Sequence, residues 1–336
     1  MCAKKLPQGK LPIDVLKPML HSMVGNDLVV PPDIGIDVGI TKSRGKYLVS
    51  SSDPITGAVE RIGWHAVNVS ANDVATSGIM PDTLNIVALF PEGTNLSEIN
   101  RVMKDVNRTA SSLGISVAGG HTEITPKLHR IILMVTAIGS GDAYVTSGDA
   151  VENDSILLTK TAGIEGTSIL AKLPEVARLV EPPTRKRAEN LINKLSIMKE
   201  ASSAFATGKV HAMHDVTEGG VIGSVLEMSL ASKLGFEIFG DIVPRDESTK
   251  EICTKLKVDP LRLIGSGSLL IACAKGDASE IMQKLKLAKI RCTEIGTFLP
   301  SSKGRWLESD GKRGRLRADS IQDELWPALG KYGNFS

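Results

Sequence analysis

Trp64-His65-Ala66-Val67-Asn68-Val69-Ser70-Ala71-Asn72-Asp73-Val74-Ala75-Thr76-Ser77-Gly78-Ile79-Met80-Pro81 is the stretch whose reading decides the fold. Val67, Ala71, Val74, Ala75 and Gly78 recur at helical spacing, so it reads as an apolar helix buried on one face and packed closely through its small residues. Asp73 sits beside that face. A carboxylate next to a buried seam is normally paired, capping or bound to a cation, because leaving it unpaired costs several kcal/mol.

Working outward, Pro31 to Ile40 is a turn giving way to a strand, and Lys46 to Ser52 is a second strand ending at Asp53-Pro54. Asp37 and Asp53 therefore lie at the ends of neighbouring strands. Such carboxylates are turn residues or, gathered together, oxygen ligands for a hard cation such as Mg²⁺. Downstream, Leu84 to Phe90 is a buried strand. Asn95 with Glu98 opens a helix as a capping box, and Leu96, Ile99, Val102, Met103, Val106, Ala110 and Leu113 form its apolar stripe. Ile115 to Ala118 is a strand that stops at Gly119-Gly120-His121-Thr122-Glu123, and Ile131 to Ile138 is another. Gly119-Gly120 allows a close backbone approach. His121 is either a hydrogen-bonding partner or a metal ligand.

A Gly- and Ser-rich boundary over 139–154 separates domains at 1–145 and 146–336. The second half opens with the strand Ile156 to Lys160, then Thr161-Ala162-Gly163-Ile164-Glu165-Gly166-Thr167 and a helix, an order that can bind an anion. Residues 184–207 read as a charged helix. Val210 to His214 is a strand leading into Asp215-Val216-Thr217-Glu218-Gly219-Gly220 and a helix that Asp215 or Thr217 can cap. Strands and helices alternate from there to Phe298. Near the N-terminus, Lys10 lies on a Pro- and Gly-containing segment that is either an exposed tail or an arm able to reach a phosphate.

The chain has 336 residues, and its 42% hydrophobic content suits a soluble globular protein, with a core of aliphatics because only 4% is aromatic. Forty basic against thirty-eight acidic residues argue against a nucleic-acid or membrane partner. The basic stretch Lys303 to Arg317, with Lys312, Arg313 and Arg315, reads as a solvated loop. Four cysteines, Cys2, Cys253, Cys273 and Cys292, have no CxxC spacing, which points to a reducing, cytoplasmic setting without zinc or disulfides.

Taken in order, Gly35-Ile36-Asp37-Val38-Gly39, Ser52-Asp53-Pro54, Asn72-Asp73-Val74-Ala75, Gly119-Gly120-His121-Thr122-Glu123 and Asp215-Val216-Thr217-Glu218-Gly219-Gly220 resemble the aminoimidazole ribonucleotide synthetase-like (PurM-like) superfamily. That group includes the thiamine-monophosphate kinases, the selenophosphate synthetases and the hydrogenase-maturation protein HypE, and the resemblance is nearest to HypE. It implies an α/β fold of two domains. The N-terminal domain would pair across a homodimer into a β-barrel, and the C-terminal α/β domain would carry a mixed sheet.

The resemblance also implies ATP and Mg²⁺ as cofactors, and an ATP-dependent phosphotransferase or ATPase acting on an oxygen of a small-molecule substrate. By residue, it assigns Asp37, Asp53 and Asp73 to magnesium and phosphates, with Asn72 beside the last. Gly119, Gly120 and Thr122 fall in the nucleotide loop, with Glu123 a further metal ligand where the family carries an acid at the position of His121. Gly163, Gly166 and Thr167 fall in the second domain's glycine loop, and Asp215, Gly219 and Gly220 in a turn facing the substrate. Lys10 and Lys160 are candidate phosphate cations, and His121 and His214 candidate acid/base groups. HypE proteins finish on a carrier cysteine, whereas this sequence finishes Tyr332-Gly333-Asn334-Phe335-Ser336, so carbamoyl dehydration on its own tail is not expected. The alternatives are thiamine-monophosphate kinase activity, or a non-catalytic nucleotide-binding maturation or regulatory partner; a maturation protein is a candidate partner.

Overall fold

The computed structural model describes residues 13–14, 17–18, 28–31, 33–43, 46–55, 61–317 and 322–333; Cys2 and Lys10 fall outside them. The described chain divides into two compact units, one holding 28–31 and 37–144 and the other 33–36 and 145–333.

The first unit contains one sheet of β1 (Leu28–Val30), β2 (Gly39–Ser43), β3 (Lys46–Ile55), β4 (Thr83–Pro91), β5 (Ser116–Thr125) and β6 (Ile132–Gly141), in the order β1-β2-β3-β6-β4-β5. Only β4 and β5 run parallel. The helix α2 (Leu96–Leu113) supplies the crossover that a parallel pair requires. Period-two alternation places Leu84, Ile86, Ala88 and Phe90 of β4, with Leu133, Val135 and Ala137 of β6, on the buried face. Against that sheet lies α1 (Ile62–Thr76), with Ser70 Oγ donating to the Val135 carbonyl at 2.9 Å.

The helix α1 is buried on more of its surface than one stripe, since His65, Asn68 and Asn72 are enclosed along with Ala66, Val67, Ala71, Val74 and Ala75. It stops at Thr76 rather than continuing to Pro81. Ser77 Oγ takes the Val74 carbonyl, and Gly78 turns the chain with φ +82°.

The strand β5 corrects the expectation of a loop at Gly119. Its pairing with β4 runs from Thr83↔Ser116 to Pro91↔Thr125 around a bulge, so Gly119 to Glu123 are strand. Gly120 has φ +150°, and a Cβ there would sit 1.8 Å from the Ile86 carbonyl oxygen. The backbone that needs this glycine is thus the neighbouring strand. Gly120→Ala is expected to destabilise the chain by about 2 kcal/mol through that overlap, read as a lowered midpoint in urea denaturation.

The second unit contains a mixed sheet of β7 (Ser155–Thr159), β8 (Val210–Asp215), β9 (Gly235–Phe239), β10 (Leu269–Cys273), β11 (Cys292–Leu299), β12 (Arg305–Ser309) and β13 (Lys312–Arg315). Its order is β13-β12-β9-β11-β7-β10-β8, with only β12 and β9 parallel. The central strands β7 and β10 are buried throughout. The helices are α3 (Ile164–Leu170), α4 (Pro174–Leu179), α5 (Pro182–Glu189), α6 (Met198–Phe205), α7 (Gly220–Ala231), α8 (Glu247–Leu256), α9 (Ala278–Leu287) and α10 (Leu325–Tyr332).

One core cluster joins Ile156, Leu158, Leu270 and Ala272 to Val221, Ile222 and Val225 of α7. A second joins Leu170, Ile252 and Leu256 to Leu325 and Ala328 of α10. Two expectations change here. Residues 184–207 break into α5 and α6, and the presumed loop at 303–317 holds the β12–β13 hairpin. In that hairpin Arg313 pairs with Glu237 at 2.7 Å and stacks 4.4 Å from the Trp306 ring. No helix among the described residues is long and apolar enough to cross a membrane.

Candidate functional site

In the first unit, strand alternation puts Ser51 and Asp53 on the same side of β3, and α1 brings Asp73 to them. Ser51 Oγ lies 2.8 Å from Asp73 Oδ2 and 3.3 Å from Asp53 Oδ2. One hydroxyl has one proton to share between these two half-buried carboxylates, so it satisfies Asp73 better than Asp53. Two carboxylates converging on one shared hydroxyl make an oxygen-rich corner of the kind a hard divalent cation occupies, and the residues present fit that group. Asp37 is half-buried just ahead of β2, whose Gly39 stands opposite Ser50 of β3, and Asn72 is fully buried next to Asp73. Ser51 escaped the sequence reading; the Ser50-Ser51-Ser52 run before Asp53 was its only mark.

His121 and Glu123 share one face of β5. His121 Nε2 is 3.0 Å from Glu123 Oε2, and Thr125 Oγ1 donates to Oε1 at 2.8 Å. The bond from His121, then the one from Thr125, holds the Glu123 carboxyl below its ordinary range. Thr122 points to the other face. Since β6 and β4 intervene between β3 and β5, Glu123 stands roughly 14 Å across the sheet from Asp53 within one chain.

In the second unit the predicted residues are largely turned inward. Lys160 leaves β7 with φ +53°, and its ammonium meets the carbonyls of Lys194, Ser196 and Gly267 at 3.0, 2.7 and 2.6 Å and Glu200 Oε1 at 2.8 Å. Burial pushes its pKa down against the opposing effect of Glu200. An ammonium has three protons, so four oxygens of its own unit already exceed its donors, and a phosphate would have to displace one. Gly163 opens α3 in the left-handed region. A Cβ on Gly166 would lie 2.4 Å from Leu263 Cγ, and the buried Thr167 hydroxyl bonds to Thr249 at 3.0 Å. Gly166 therefore serves close packing against Leu263, and Thr167 ties α3 to α8.

The turn after β8 is built differently. His214 is buried, with Nε2 3.3 Å from Glu227 Oε2 and Nδ1 3.8 Å from Asp215 Oδ1. Asp215 is 1% exposed, and neither of its carboxylate oxygens accepts a hydrogen bond among the described residues. An enclosed carboxylate in that condition needs positive charge beside it. Gly219 and Gly220 both have positive φ, and a Cβ on Gly220 would meet the Leu261 carbonyl oxygen at 2.6 Å.

The C-terminal segment grips this turn. Gly219 N–H donates to Asp323 Oδ2 at 2.6 Å, Leu325 N–H donates to Asp323 Oδ1 at 2.7 Å, and Trp326 Nε1–H donates to Glu218 Oε1 at 3.0 Å. Burial, opposed by those two amide bonds and reinforced by Glu218 and Glu165, raises Asp323 to about 7. The sequence reading missed Asp323, because a single acid far along the chain carries no spacing that links it to Gly219.

Two domain families match the chain: AIR synthase related protein, N-terminal domain, over residues 35–140, and AIR synthase related protein, C-terminal domain, over 151–306. The chain is 26% identical over 240 residues to a Methanocaldococcus jannaschii protein named for hydrogenase expression/formation, a match spanning 67% of this chain and 66% of that one. With the carbamoyl dehydratase HypE of Bradyrhizobium diazoefficiens it shares 22% identity over 287 residues, spanning 83% and 80%.

Among solved structures, HypE in complex with ATP superposes with a TM-score of 0.71 at 21% identity, over 93% of this chain and 91% of that one. Aquifex aeolicus ThiL, a thiamine-monophosphate kinase, complexed with AMPPCP and TMP, gives 0.72 at 20% identity over 91% and 94%. The HypE–HypF complex gives 0.71 at 19% over 83% and 92%. At these identities the structural likeness shows the fold.

Proposed function

Because the chain belongs to the AIR synthase related protein family through both its N-terminal and its C-terminal domain, and stands close to HypE, we propose that it is a Mg²⁺- and ATP-dependent enzyme that activates or phosphorylates an oxygen of a small substrate. The observation that carries this reading is the pair Asp53 and Asp73 converging on the Ser51 hydroxyl. These carboxylates would hold the magnesium, with Asp37, the third acid of the family pattern, as a further ligand; when bound, the ion neutralises phosphate oxygens. Ser51 orients Asp73 toward that role. ATP and AMPPCP in the HypE and ThiL structures support the nucleotide.

The three described cysteines take no part in the chemistry proposed. Burial raises Cys253, Cys273 and Cys292 to about 12 each, so none of them is a thiolate at neutral pH. That favours direct activation of a small acceptor over transfer through one of these cysteines. We further infer a homodimer formed through the first unit: β5 is an edge strand exposed on nearly its whole length, and Leu48 and Met134 stand 37% and 40% exposed on the sheet face away from α1. A maturation-protein partner is the corresponding inference from the HypE–HypF likeness. The kinase alternative draws on the ThiL likeness.

The test is equilibrium ATP binding with and without magnesium, followed by ADP release with candidate acceptors. Wild type is expected to bind ATP about tenfold tighter with magnesium, and Asp73→Asn to lose that difference, since one charge-assisted ligand is removed. ATP affinity indifferent to magnesium in both proteins overturns the reading. Magnesium-dependent binding with no acceptor-stimulated ADP release leaves the nucleotide-binding scaffold in its place.

A further inference from the structure

At the opposite end of α1 from Asp73, a groove of about 430 Å³ opens between the start of that helix and the outer face of α2. Its size is that of a small-ligand site. Its lining is strongly one-signed: Arg61, Arg101, Lys104 and Arg108 face a single acid, Asp105. Arg101, Lys104 and Arg108 follow one another at helical spacing on the exposed side of α2, opposite the buried Val102, Val106 and Ala110.

A polar outer face on an amphipathic helix is ordinary. Three features set this one apart. First, Asp105 is already committed, since its Oδ2 accepts the Trp64 N–H at 2.9 Å and so serves the first turn of α1. Among the described residues Glu98 reaches Arg101 at 3.8 Å, and neither Lys104 nor Arg108 has an ion pair. Secondly, the fourth cation comes from another element and is held in place: Arg61 adopts φ +54°, unfavourable for a residue with a Cβ, and lays its guanidinium 4.5 Å from the Trp64 ring centroid. Thirdly, α1 and α2 meet here without a gap. A Cβ on Gly63 would lie 2.7 Å from the Val106 nitrogen, so the two walls are fixed relative to each other.

We propose that this groove binds a compact phosphate-bearing small molecule, at a site separate from the carboxylates of Asp53 and Asp73. Arginines present planar forks that match phosphate oxygens, and Lys104 adds a point charge between them. Arg61, at the N-cap of α1, and Asp73 lie twelve residues apart, roughly 18 Å along the helix axis, so an anion held here is not the phosphate facing the acidic corner. The site therefore suits an effector or a second anionic substrate.

The probe is inorganic pyrophosphate, titrated calorimetrically into the full chain in metal-free buffer of low ionic strength. One site per chain is expected, weakened about tenfold or more by Lys104→Gln with Arg108→Gln and left unchanged by Asp73→Asn. Glutamine is a good helix former and both positions are exposed, so that double variant should keep the wild-type thermal midpoint. Arg61→Lys, which keeps the charge and removes the fork, is expected to fall between wild type and the double variant. Absence of saturable binding overturns the proposal. So does pyrophosphate binding that survives the double substitution, binding that Asp73→Asn abolishes, or tighter capture of a polyglutamate peptide than of pyrophosphate. The outcome is independent of whether the acidic corner turns over ATP.

Discussion

Lys160→Met is expected to destabilise the second unit by about 3–5 kcal/mol, the range for removing one partner of a buried ion pair. The methionine would fill much of the same volume while leaving Glu200, only 5% exposed at its side chain, facing no cation. It would also strip the carbonyls of Lys194, Ser196 and Gly267 of a common donor. These three carbonyls come from two separate stretches, 194–196 and Gly267, so the ammonium ties the segment before α6 to the loop before β10. Chemical denaturation of wild type, Lys160→Met and the double change Lys160→Met with Glu200→Gln reads the effect. The double variant should recover part of the loss, because it no longer buries a lone charge. Full retention of stability with abolished ATP binding would instead return Lys160 to the phosphate role expected from the sequence.

The second large effect is a pH dependence set by Asp323. Its folded value near 7 lies above the 3.8 of the unfolded chain. Below pH 3.8 the group is protonated in both states and its contribution to stability is complete. As pH rises toward 7 the unfolded chain releases the proton first, so stability falls, and above about 7 the loss is finished. The shift corresponds to about 4 kcal/mol lost between pH 4 and pH 8. Asp323→Asn does not titrate, so its stability should be flatter by that amount over the same interval. Measuring unfolding free energy against pH for both proteins checks it; parallel curves would refute the assignment. Hydrogen exchange at the Gly219 amide offers a local reading, since that N–H donates to Asp323 in either protonation state but to a weaker acceptor when the acid is neutral.

Some of this was legible in the residues and some was not, for physical reasons. Asn95 and Glu98 announced the start of α2 correctly, and the Asn95 side chain accepts the Glu98 N–H at 2.9 Å. Local chemistry of that kind is written within four residues. The buried α1 was readable from periodicity for the same reason, and β4 from its apolar run, though not that it buries one face only. By contrast, β5 was cut short because Gly119-Gly120 signals a turn locally, while nine residue pairs with β4 override that preference. The β12–β13 hairpin was hidden because β13, Lys312 to Arg315, is exposed at every position and so carries no apolar alternation. Ser51 on Asp73, Asp323 on Gly219 and Lys160 on Gly267 are contacts between distant positions, and each side chain looks ordinary in its own neighbourhood. Glycines were the reverse case: Gly120 and Gly166 looked like ligand-facing turns and instead admit Ile86 and Leu263.

The pairing of β3 with β6 bears on when the acidic corner comes into being. Asp53 stands opposite Val135, while the helix bearing Asp73 and the strands β4 and β5 are synthesised between them. A nascent chain emerging from the ribosome can pair β3 with β2 only as far as Ser50, leaving Asp53 on the unpaired end of that strand until β6 arrives. The site is therefore assembled in a late step from elements made early, and closure waits on a long-range contact. A fragment ending before Ile132 would carry every acid proposed for the magnesium, yet have no strand between β3 and β4 to hold them in register.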